Sequence, residues 1–211
     1  MTIEELENKA KEIRRDIVTM VYHAGSGHPG GSLSCADIMT VLFHEKMNMD
    51  EDKFILSKGH CVPTYYACLA SIGKIPHEDL ITFRKIDSYL EGHPSNKING
   101  IDVSSGSLGQ GLSVANGMAI AKKLDNASGK VYCMLGDGEI EEGQIWEAVM
   151  TANKYALNNV VAFVDYNGLQ IDGSVEDVKG VTNLKEKFEA CGWSVQEIDG
   201  RDIQAIMDAI D

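Results

Sequence analysis

The chain has 211 residues, of which 44% are hydrophobic and 24% charged, as expected for a globular protein with a sizeable core. Its formal net charge of −13 argues against nucleic-acid binding, because a phosphate backbone demands a basic surface. A phosphorylated ligand is still possible if it is held locally, by glycine amides, a helix N-terminus, a few basic side chains or a metal ion.

The N-terminus and the cysteines predict a cytoplasmic protein. Residues 1–5 are acidic and amphipathic, and no apolar run approaches the roughly 18 residues of a membrane span, so neither a signal peptide nor a membrane segment is expected. The five cysteines form no CxxC pair, and Cys35, Cys68 and Cys133 lie among apolar residues. Such residues are typical of buried free thiols in a reducing compartment.

The first part of the chain predicts two helices around a glycine-rich segment. Apolar residues recur near every 3.6 positions over residues 3–24, which indicates an amphipathic helix. Residues 25–31 are rich in glycine and are not expected to stay helical. Ser34, with Asp37 three residues later, resembles the N-cap of a helix that runs to about Lys46.

The remaining elements alternate between strands and helices. Strands are predicted at residues 54–56, 130–135, 160–164 and 193–198, and helices at about 62–72, 111–124, 142–156, 183–191 and from Asp202 onward. The runs at 130–135 and 160–164 are nearly continuous in apolar residues, as in central parallel strands buried on both faces.

This alternation predicts an α/β fold, a doubly wound, mostly parallel sheet of about five strands flanked by helices. No repeat or linker is evident, so a single domain over residues 1–211 is expected. The last helical pattern runs to Ile210 with no closing strand after it, which suggests either a shortened chain or the limit of its ordered part.

Two predicted strands end in residues with hard oxygen ligands. Asp137 stands between two glycines after residues 130–135, and Asn167 follows residues 160–164. With one helix between them, the two strands would be parallel neighbours, and ligands of such sheets bind at the carboxyl ends of the strands. Gly136-Asp137-Gly138 alone would equally suit a βα turn. Asn167 at the matching position favours a Mg²⁺ site that also takes a backbone carbonyl near Leu169 and a diphosphate.

Two other phosphate motifs are absent. The chain has no GxxxxGK[ST] segment, which argues against a P-loop enzyme. The glycines of residues 106–111 are not in the order GxGxxG, which argues against a dinucleotide-binding unit.

In combination, six segments resemble the transketolases, specifically their cofactor-binding N-terminal half, over essentially the whole chain. They are Ser26-Gly27-His28-Pro29-Gly30, Ser57-Lys58-Gly59-His60, Gly92-His93-Pro94, Gly106-Ser107-Leu108-Gly109-Gln110-Gly111, Gly136-Asp137-Gly138-Glu139-Ile140-Glu141-Glu142-Gly143 and Asn167-Gly168-Leu169-Gln170-Ile171-Asp172-Gly173. The resemblance implies a thiamine-diphosphate-binding fold and a cation, Mg²⁺ or another such as Ca²⁺ or Mn²⁺.

The resemblance also implies roles for individual residues. Asp137, Asn167 and the Leu169 carbonyl match the metal ligands, and Gly138 and Asn167 match contacts to the diphosphate. The residues that match the lining of the cofactor pocket are Gly106, Ser107 and Leu108.

Four further residues match catalytic positions of the family. His60 matches a histidine that contacts the cofactor phosphates, and its place before a helix suits an anion site. His28 and His93 match histidines that hydrogen-bond the sugar substrate. Glu142 matches a glutamate near the dimer interface that links two active sites, although an acidic helix start would also explain it.

His23, His44 and His77 match nothing in the family, and we interpret them as ordinary surface or helix residues. Tyr166 departs from the family, since many relatives carry Asn or Asp there, but it removes no ligand. Nothing matches the glutamate that protonates the aminopyrimidine ring, which belongs to a second, pyrimidine-binding domain in the family. A further substrate-site histidine is also unmatched.

The resulting hypothesis is the N-terminal subunit of a two-chain transketolase, a transferase of the pentose phosphate pathway. It would move a two-carbon ketol unit between sugar phosphates, only with a C-terminal, pyrimidine-binding partner, as a homodimer or heterotetramer. One alternative is a 1-deoxy-xylulose-5-phosphate synthase-like enzyme or another specialised ketol-transferase half. The other is a non-catalytic module that binds a diphosphate.

Overall fold

A computed structural model describes residues 1–170, 173–180 and 183–211. The chain divides into two compact units, each assembled from segments distant in sequence. The first comprises Met1–Met49, Gly59–Ser104 and Ile198–Asp211, and the second comprises Asp50–Lys58 and Ser105–Glu197. That the whole chain forms one domain stays a prediction.

The first unit is helical and contains the long N-terminal helix that the sequence predicts. Helix α1 (Ile3–Ala24) begins with a capping box, in which Thr2 accepts from the Glu5 backbone N–H and the Glu5 carboxylate accepts from that of Thr2. It ends at Gly25, whose φ of 62° is the left-handed conformation that glycine adopts at low cost. The apolar residues that recur along one face of the helix are fully buried: Leu6, Ala10, Ile13, Ile17 and Met20.

The structure after α1 differs from two predictions made for the glycine-rich segment and the helix that follows it. Helix α2 (Pro29–Ser34) begins within the segment expected to be non-helical. A proline suits the first helical position because its ring fixes φ near the helical value and its nitrogen has no hydrogen to donate. Because Ser34 closes α2, it does not cap the next helix. Helix α3 (Ala36–Val41) instead follows Cys35, without a side-chain cap, and continues into a π-helical turn over Leu42–Lys46.

In its described residues the first unit contains four further elements. They are a 3₁₀ turn at Gly59–Cys61, helix α4 (Val62–Ser71), a 3₁₀ turn at His77–Thr82 and, near the C-terminus, a final helix (Ile203–Ile210). α1 contacts α3, α4 and the 77–82 turn, and the final helix packs against α3. Asp202 caps the final helix by accepting from the Ala205 N–H, so this predicted helix is confirmed.

His44 gives the first unit a pH-dependent stability. Its Nε2 lies 2.8 Å from the Ser71 hydroxyl, and burial lowers the pKa of the imidazole below 6.5, with Lys9 acting in the same direction and Glu12 opposing. As the pH is lowered through 6.5, the unfolded chain therefore binds the proton before the folded chain does. The free energy of unfolding decreases as the pH falls, until the lower pKa of the folded state is reached.

His44→Gln is expected to remove this component. The free energy of unfolding of the wild type minus that of the variant should be larger at about pH 7.5 than at about pH 5, because only the wild type carries the titrating group. Urea unfolding at both values measures it, with His23→Gln, which removes an exposed histidine, as the matched control. A difference that grows toward acid pH would contradict the assignment.

The second unit is built on a parallel sheet. Its strands are β1 (Lys53–Leu56), β2 (Val131–Gly136) and β3 (Val160–Asp165), in the order β1-β2-β3. Every residue of β2 is buried, as a nearly continuous apolar run predicts for a central parallel strand. The prediction that β2 and β3 are parallel neighbours is confirmed.

Helices pack against this sheet and against each other. Helix α5 (Gly111–Leu124) contacts β2 and helix α6 (Gly143–Lys154), while a 3₁₀ turn over Gly138–Glu141 connects β2 to α6. A short antiparallel pair, β4 (Leu169–Gln170) and β5 (Gly173–Ser174), follows β3 and leads into helices α7 (Val175–Val178) and α8 (Leu184–Ala190). The helix from Ile203 is numbered α9.

The strand predicted at residues 193–198 is wrong. In the described part of the chain this segment pairs with no strand, and the parallel sheet has three strands rather than about five. The Trp193 backbone N–H donates to the Phe188 carbonyl and its indole N–H to the Val149 carbonyl, so helices α8 and α6 hold the segment instead of a sheet edge.

The predicted buried cysteines are found. Cys35, Cys61, Cys68 and Cys133 are buried, Cys191 is half-buried, and all five are free thiols. Burial raises the pKa of the Cys68 and Cys133 thiols. None of the helices in the described residues is both long and apolar enough to span a membrane.

Candidate functional site

The carboxyl ends of β2 and β3 lie side by side, which places two predicted metal ligands on adjacent loops. The strands are in register up to the pair Gly136 and Asp165. Just beyond them, the Gly168 N–H donates to Asp137 Oδ2 at 2.7 Å, so the Asp137 loop and the Asn167 loop are in direct contact. Asp137 and Asn167 are brought together as the sequence predicts.

Asp137 is held by one backbone N–H on each carboxylate oxygen. Its Oδ1 accepts from the Gly138 N–H at 2.8 Å, and the residue is 3% exposed. Burial raises its pKa, while the N–H groups of Gly168 and Gly138 act in the opposite direction. An ionised carboxylate has about four lone-pair sites, so each oxygen retains a site for a cation.

The neighbouring loop adds neutral oxygens. Asn167 is exposed, and its Oδ1 accepts from the Leu169 N–H at 3.0 Å. Leu169 is 67% exposed and opposite Ser174 in the β4–β5 pair. The last predicted motif continues through Ile171 and Asp172, which lie outside the described residues.

This donor set has the chemistry of a hard divalent cation site. A carboxylate, an amide oxygen and a main-chain carbonyl are the ligands that Mg²⁺ takes, usually with waters and substrate phosphates. Among the described residues, no group of three or more His, Cys, Asp or Glu side chains could hold a metal by itself. A cation at Asp137 would complete its coordination with neutral oxygens, water and the oxygens of a ligand such as a diphosphate.

The glycines around the strand ends allow close packing. A Cβ on Gly138 would lie 3.0 Å from Gln170 Oε1. In the 106–111 segment, Gly106 and Gly109 have φ of 152° and 87°, and a Cβ on Gly111 would lie 2.3 Å from Ser57 Oγ. Within this predicted pocket lining, Gly106 and Leu108 are half-buried and Ser107 is exposed.

A buried polar network beneath these loops was missed from the sequence. Glu139 is 2% exposed and accepts hydrogen bonds from Ser57, Gly109 and Gly136. Lys58, 1% exposed, forms an ion pair with Asp165 at the end of β3. Glu139 belongs to an acidic cluster that resembles a helix start. The one available signal was its place two residues after Asp137, which is weak.

Glu142 stands at the start of α6. It is exposed and makes no side-chain capping bond. Its Cβ packs against Gly109, where an added Cβ would lie 2.9 Å away. Its predicted role at a dimer interface stays a prediction.

The three predicted histidines come together in the first unit. The rings of His28 and His60 are 5.2 Å apart between centroids, at an interplanar angle of 64°. Partial burial lowers the pKa of His93, and electrostatic interactions with His28 and Arg84 lower it further, so both side chains lie in the neighbourhood of that ring. His28 precedes α2, and its carbonyl accepts from the Ser32 hydroxyl at 2.7 Å.

Arg84 is a member of this cluster that the sequence did not reveal. Its backbone has φ of 58°, a conformation rare outside glycine. Its guanidinium packs on Gly92, where an added Cβ would lie 2.8 Å from Nε. A side chain in place of the glycine before His93 would displace the Arg84 guanidinium from this position. Of the three histidines without predicted roles, His44 pairs with Ser71 and His77 pairs with Asp16.

Comparison with known proteins agrees with this arrangement. Residues 6–211 match the family described as transketolase, thiamine diphosphate binding domain. The chain is 41% identical over 215 residues to one of the subunits of the apulose-4-phosphate transketolase of Phocaeicola vulgatus, a match that covers 98% of this chain and 76% of that protein. It is 39% identical to the 6-deoxy-6-sulfo-D-fructose transketolase subunit SqwG of a Clostridium species, covering 98% and 78% respectively.

A solved structure shows the same fold. The transketolase of Campylobacter jejuni superimposes on the whole chain with a TM-score of 0.91 and 35% identity. This chain spans 35% of that transketolase. The predicted α/β fold is confirmed, and the prediction of a transketolase component is confirmed at the level of the family. The chain belongs to the transketolase family, through its thiamine diphosphate binding domain.

Proposed function

We propose that this chain is the diphosphate-binding subunit of a transketolase that depends on thiamine diphosphate and Mg²⁺. With a C-terminal, pyrimidine-binding subunit it transfers a two-carbon ketol unit from a ketose phosphate to an aldose phosphate. The observation that carries the proposal is the hydrogen bond from Gly168 to Asp137, which joins the two predicted metal-binding loops. Three of the similar proteins are named as single subunits of a transketolase, which supports a two-chain enzyme.

In this proposal the strand ends hold the cation and the diphosphate. Asp137, Asn167 and the Leu169 carbonyl bind Mg²⁺, or Ca²⁺ or Mn²⁺ in its place, which anchors the diphosphate rather than activating water. Gly138, Asn167 and His60 contact the diphosphate. Thiamine diphosphate, when bound, supplies the electron sink for breaking and forming the carbon–carbon bond. The residues that line its pocket are Gly106, Ser107 and Leu108.

The histidine cluster binds the sugar. Partial burial lowers the pKa of His93, with His28 and Arg84 acting in the same direction, which favours the neutral imidazole that can accept a hydrogen bond from a hydroxyl. His28, which adjoins His60, is exposed and can donate or accept in the same way. Glu142 links two active sites across an interface in an assembly of homodimer or heterotetramer type.

The compartment and pathway belong to the same proposal. Five free thiols and a net charge of −13 are consistent with a cytoplasmic enzyme that binds its phosphorylated ligands locally. A pentose phosphate substrate pair is the first to test. The names of two relatives favour a second candidate, a specialised ketol-transferase, since they refer to apulose 4-phosphate and 6-deoxy-6-sulfofructose.

The test is reconstitution with the C-terminal partner chain. The mixture with thiamine diphosphate and Mg²⁺ is expected to transfer a ketol unit from xylulose 5-phosphate to ribose 5-phosphate, whereas this chain alone should show no turnover. Turnover with pyruvate and glyceraldehyde 3-phosphate instead would indicate a 1-deoxy-xylulose-5-phosphate synthase.

Other outcomes separate the remaining alternatives. Activity with apulose 4-phosphate or 6-deoxy-6-sulfofructose alone would select the specialised enzyme. Full ketol transfer by this chain alone would overturn the two-chain hypothesis. Binding of thiamine diphosphate without activity in any reconstituted mixture would select a non-catalytic module, and no binding in calorimetry would overturn the proposal.

A further inference from the structure

Glu139 is a buried carboxylate with three hydrogen-bond donors around it. It lies in the 3₁₀ turn after β2 and is 2% exposed. Oε1 accepts from the Ser57 hydroxyl and, at 2.9 Å, from the Gly109 N–H. Oε2 accepts from the Gly136 N–H at 3.1 Å. Burying an ionisable group is costly unless it is well hydrogen-bonded, and here both oxygens are used.

The donors come from three separate segments of the second unit. Ser57 follows β1, Gly109 belongs to the 106–111 segment, and Gly136 ends β2. Ser57 extends the network, since its hydroxyl donates to Glu139 and accepts from the Gly111 N–H at 3.1 Å. One carboxylate therefore holds the 106–111 segment and the Gly-Asp-Gly turn in fixed positions.

A carboxylate suits this position better than any other side chain. It accepts only, and each oxygen can take two hydrogen bonds, so it can satisfy three donors at once. Gly109, Gly111 and Gly136 are all buried. Without the carboxylate, the N–H groups of Gly109 and Gly136 would lose their partner out of reach of water, which is unfavourable.

We propose that Glu139 is a positioning residue for the cofactor, which acts by holding the 106–111 segment and the Gly136–Gly138 turn in their binding conformation. This inference rests on the proposed function, in which Gly106, Ser107 and Leu108 line the pocket and Asp137 and Gly138 bind the metal and the diphosphate. Glu139 acts through these loops, because both of its carboxylate oxygens are used by protein donors; it lowers the cost of ordering the loops when the cofactor binds.

Two substitutions of Glu139 separate the hydrogen bonds to Oε1 from the hydrogen bond to Oε2. In Glu139→Gln the amide oxygen can keep the two Oε1 bonds, but the amide nitrogen then faces the Gly136 N–H, a donor against a donor. Glu139→Ala removes all three bonds. The exposed Glu186→Gln on α8 removes the same charge from the second unit without touching the network.

The first measurement is amide hydrogen exchange by NMR, without cofactor. Glu139→Gln is expected to speed exchange at Gly136 by about tenfold or more and to leave Gly109 nearly unchanged, while Glu139→Ala speeds both. Unchanged exchange at both glycines in Glu139→Gln and Glu139→Ala would overturn the proposal. If Glu139→Ala fails to fold, the difference between Gly136 and Gly109 in Glu139→Gln decides it.

The second measurement is cofactor affinity in the reconstituted two-chain enzyme with Mg²⁺. Glu139→Gln is expected to raise the apparent dissociation constant and the KM for thiamine diphosphate by about tenfold, with kcat restored at saturating cofactor, because the loops are still ordered once it binds. Glu186→Gln should match wild type in both. A merely structural role would lower the melting temperature and leave the KM unchanged, which would overturn the inference.

The two hypotheses fail in different ways. If the wild-type enzyme binds no thiamine diphosphate, the proposed function fails, and the role of Glu139 in cofactor binding fails with it. If wild type binds the cofactor and Glu139→Gln binds it equally well, only the inference about Glu139 fails.

Discussion

Asp137→Asn is expected to lower the affinity for thiamine diphosphate in the presence of Mg²⁺ by about 100-fold or more. Loss of a group that merely orients a metal ligand already costs about 10- to 100-fold in metal affinity, and Asp137 is the one carboxylate of the proposed ligand set. The substitution also places an amide N–H₂ against the N–H of Gly138 or Gly168, which now donate to the two carboxylate oxygens.

Isothermal titration at a temperature where all variants are folded measures this affinity. Asp125→Asn is the matched control, since Asp125 is exposed at the end of α5 and its loss removes the same charge. Asn167→Ala should have a smaller effect of about tenfold, because a neutral amide ligand contributes less to binding a cation than a carboxylate. Equal affinity in Asp137→Asn and wild type would contradict a metal site at these strand ends.

His28→Ala and His93→Ala are each expected to lower kcat/KM for the sugar substrates by about 100-fold or more, with the affinity for thiamine diphosphate preserved. Removing one oxyanion-hole hydrogen bond costs about 10²- to 10³-fold in rate, and the loss of a positioned imidazole at the substrate is expected to be of the same order. The histidine cluster belongs to the first unit, whereas the proposed metal ligands belong to the second.

Steady-state kinetics of the reconstituted enzyme, with calorimetry for the cofactor, test this expectation. His23→Ala serves as the control, since His23 is exposed in the last turn of α1 and has no proposed role. Because the pKa of His93 is lowered from 6.5, its contribution should persist into mildly acidic solution. A parallel loss of cofactor affinity in His93→Ala would instead place His93 in the diphosphate site.

The long helices and the pairing of the two central strands follow from local sequence patterns. α1 needs only the 3.6-residue apolar spacing and a capping box, and both are contiguous in sequence. β2 and β3 are nearly continuous apolar runs separated by one helix, which makes parallel neighbours the expected arrangement. The proximity of Asp137 and Asn167 then follows from the strand ends alone.

The sequence was less informative where tertiary contacts decide the conformation. Residues 193–198 have a strand-like composition, but Trp193 bonds to α6 and α8, and a strand exists only with a ladder partner. Pro29 starts a helix in a segment whose glycines argue against one. At residues 193–198 hydrogen bonding to two helices overrides a weak local preference for a strand, whereas at Pro29 the preset φ of the proline outweighs the low helix propensity of the glycines.

By itself the sequence determined the α/β class of this transketolase domain and the adjacency of the loops that carry Asp137 and Asn167, because both follow from residue type and order along the chain. Only the tertiary structure decided that Glu139 joins Ser57 to Gly109 and Gly136, that Lys58 pairs with Asp165, and that Arg84 lies beside His93. The bond from Ser57 to Glu139 spans 82 residues of sequence. A contact over that distance leaves no periodic pattern along the chain, since it exists only once the strands are aligned.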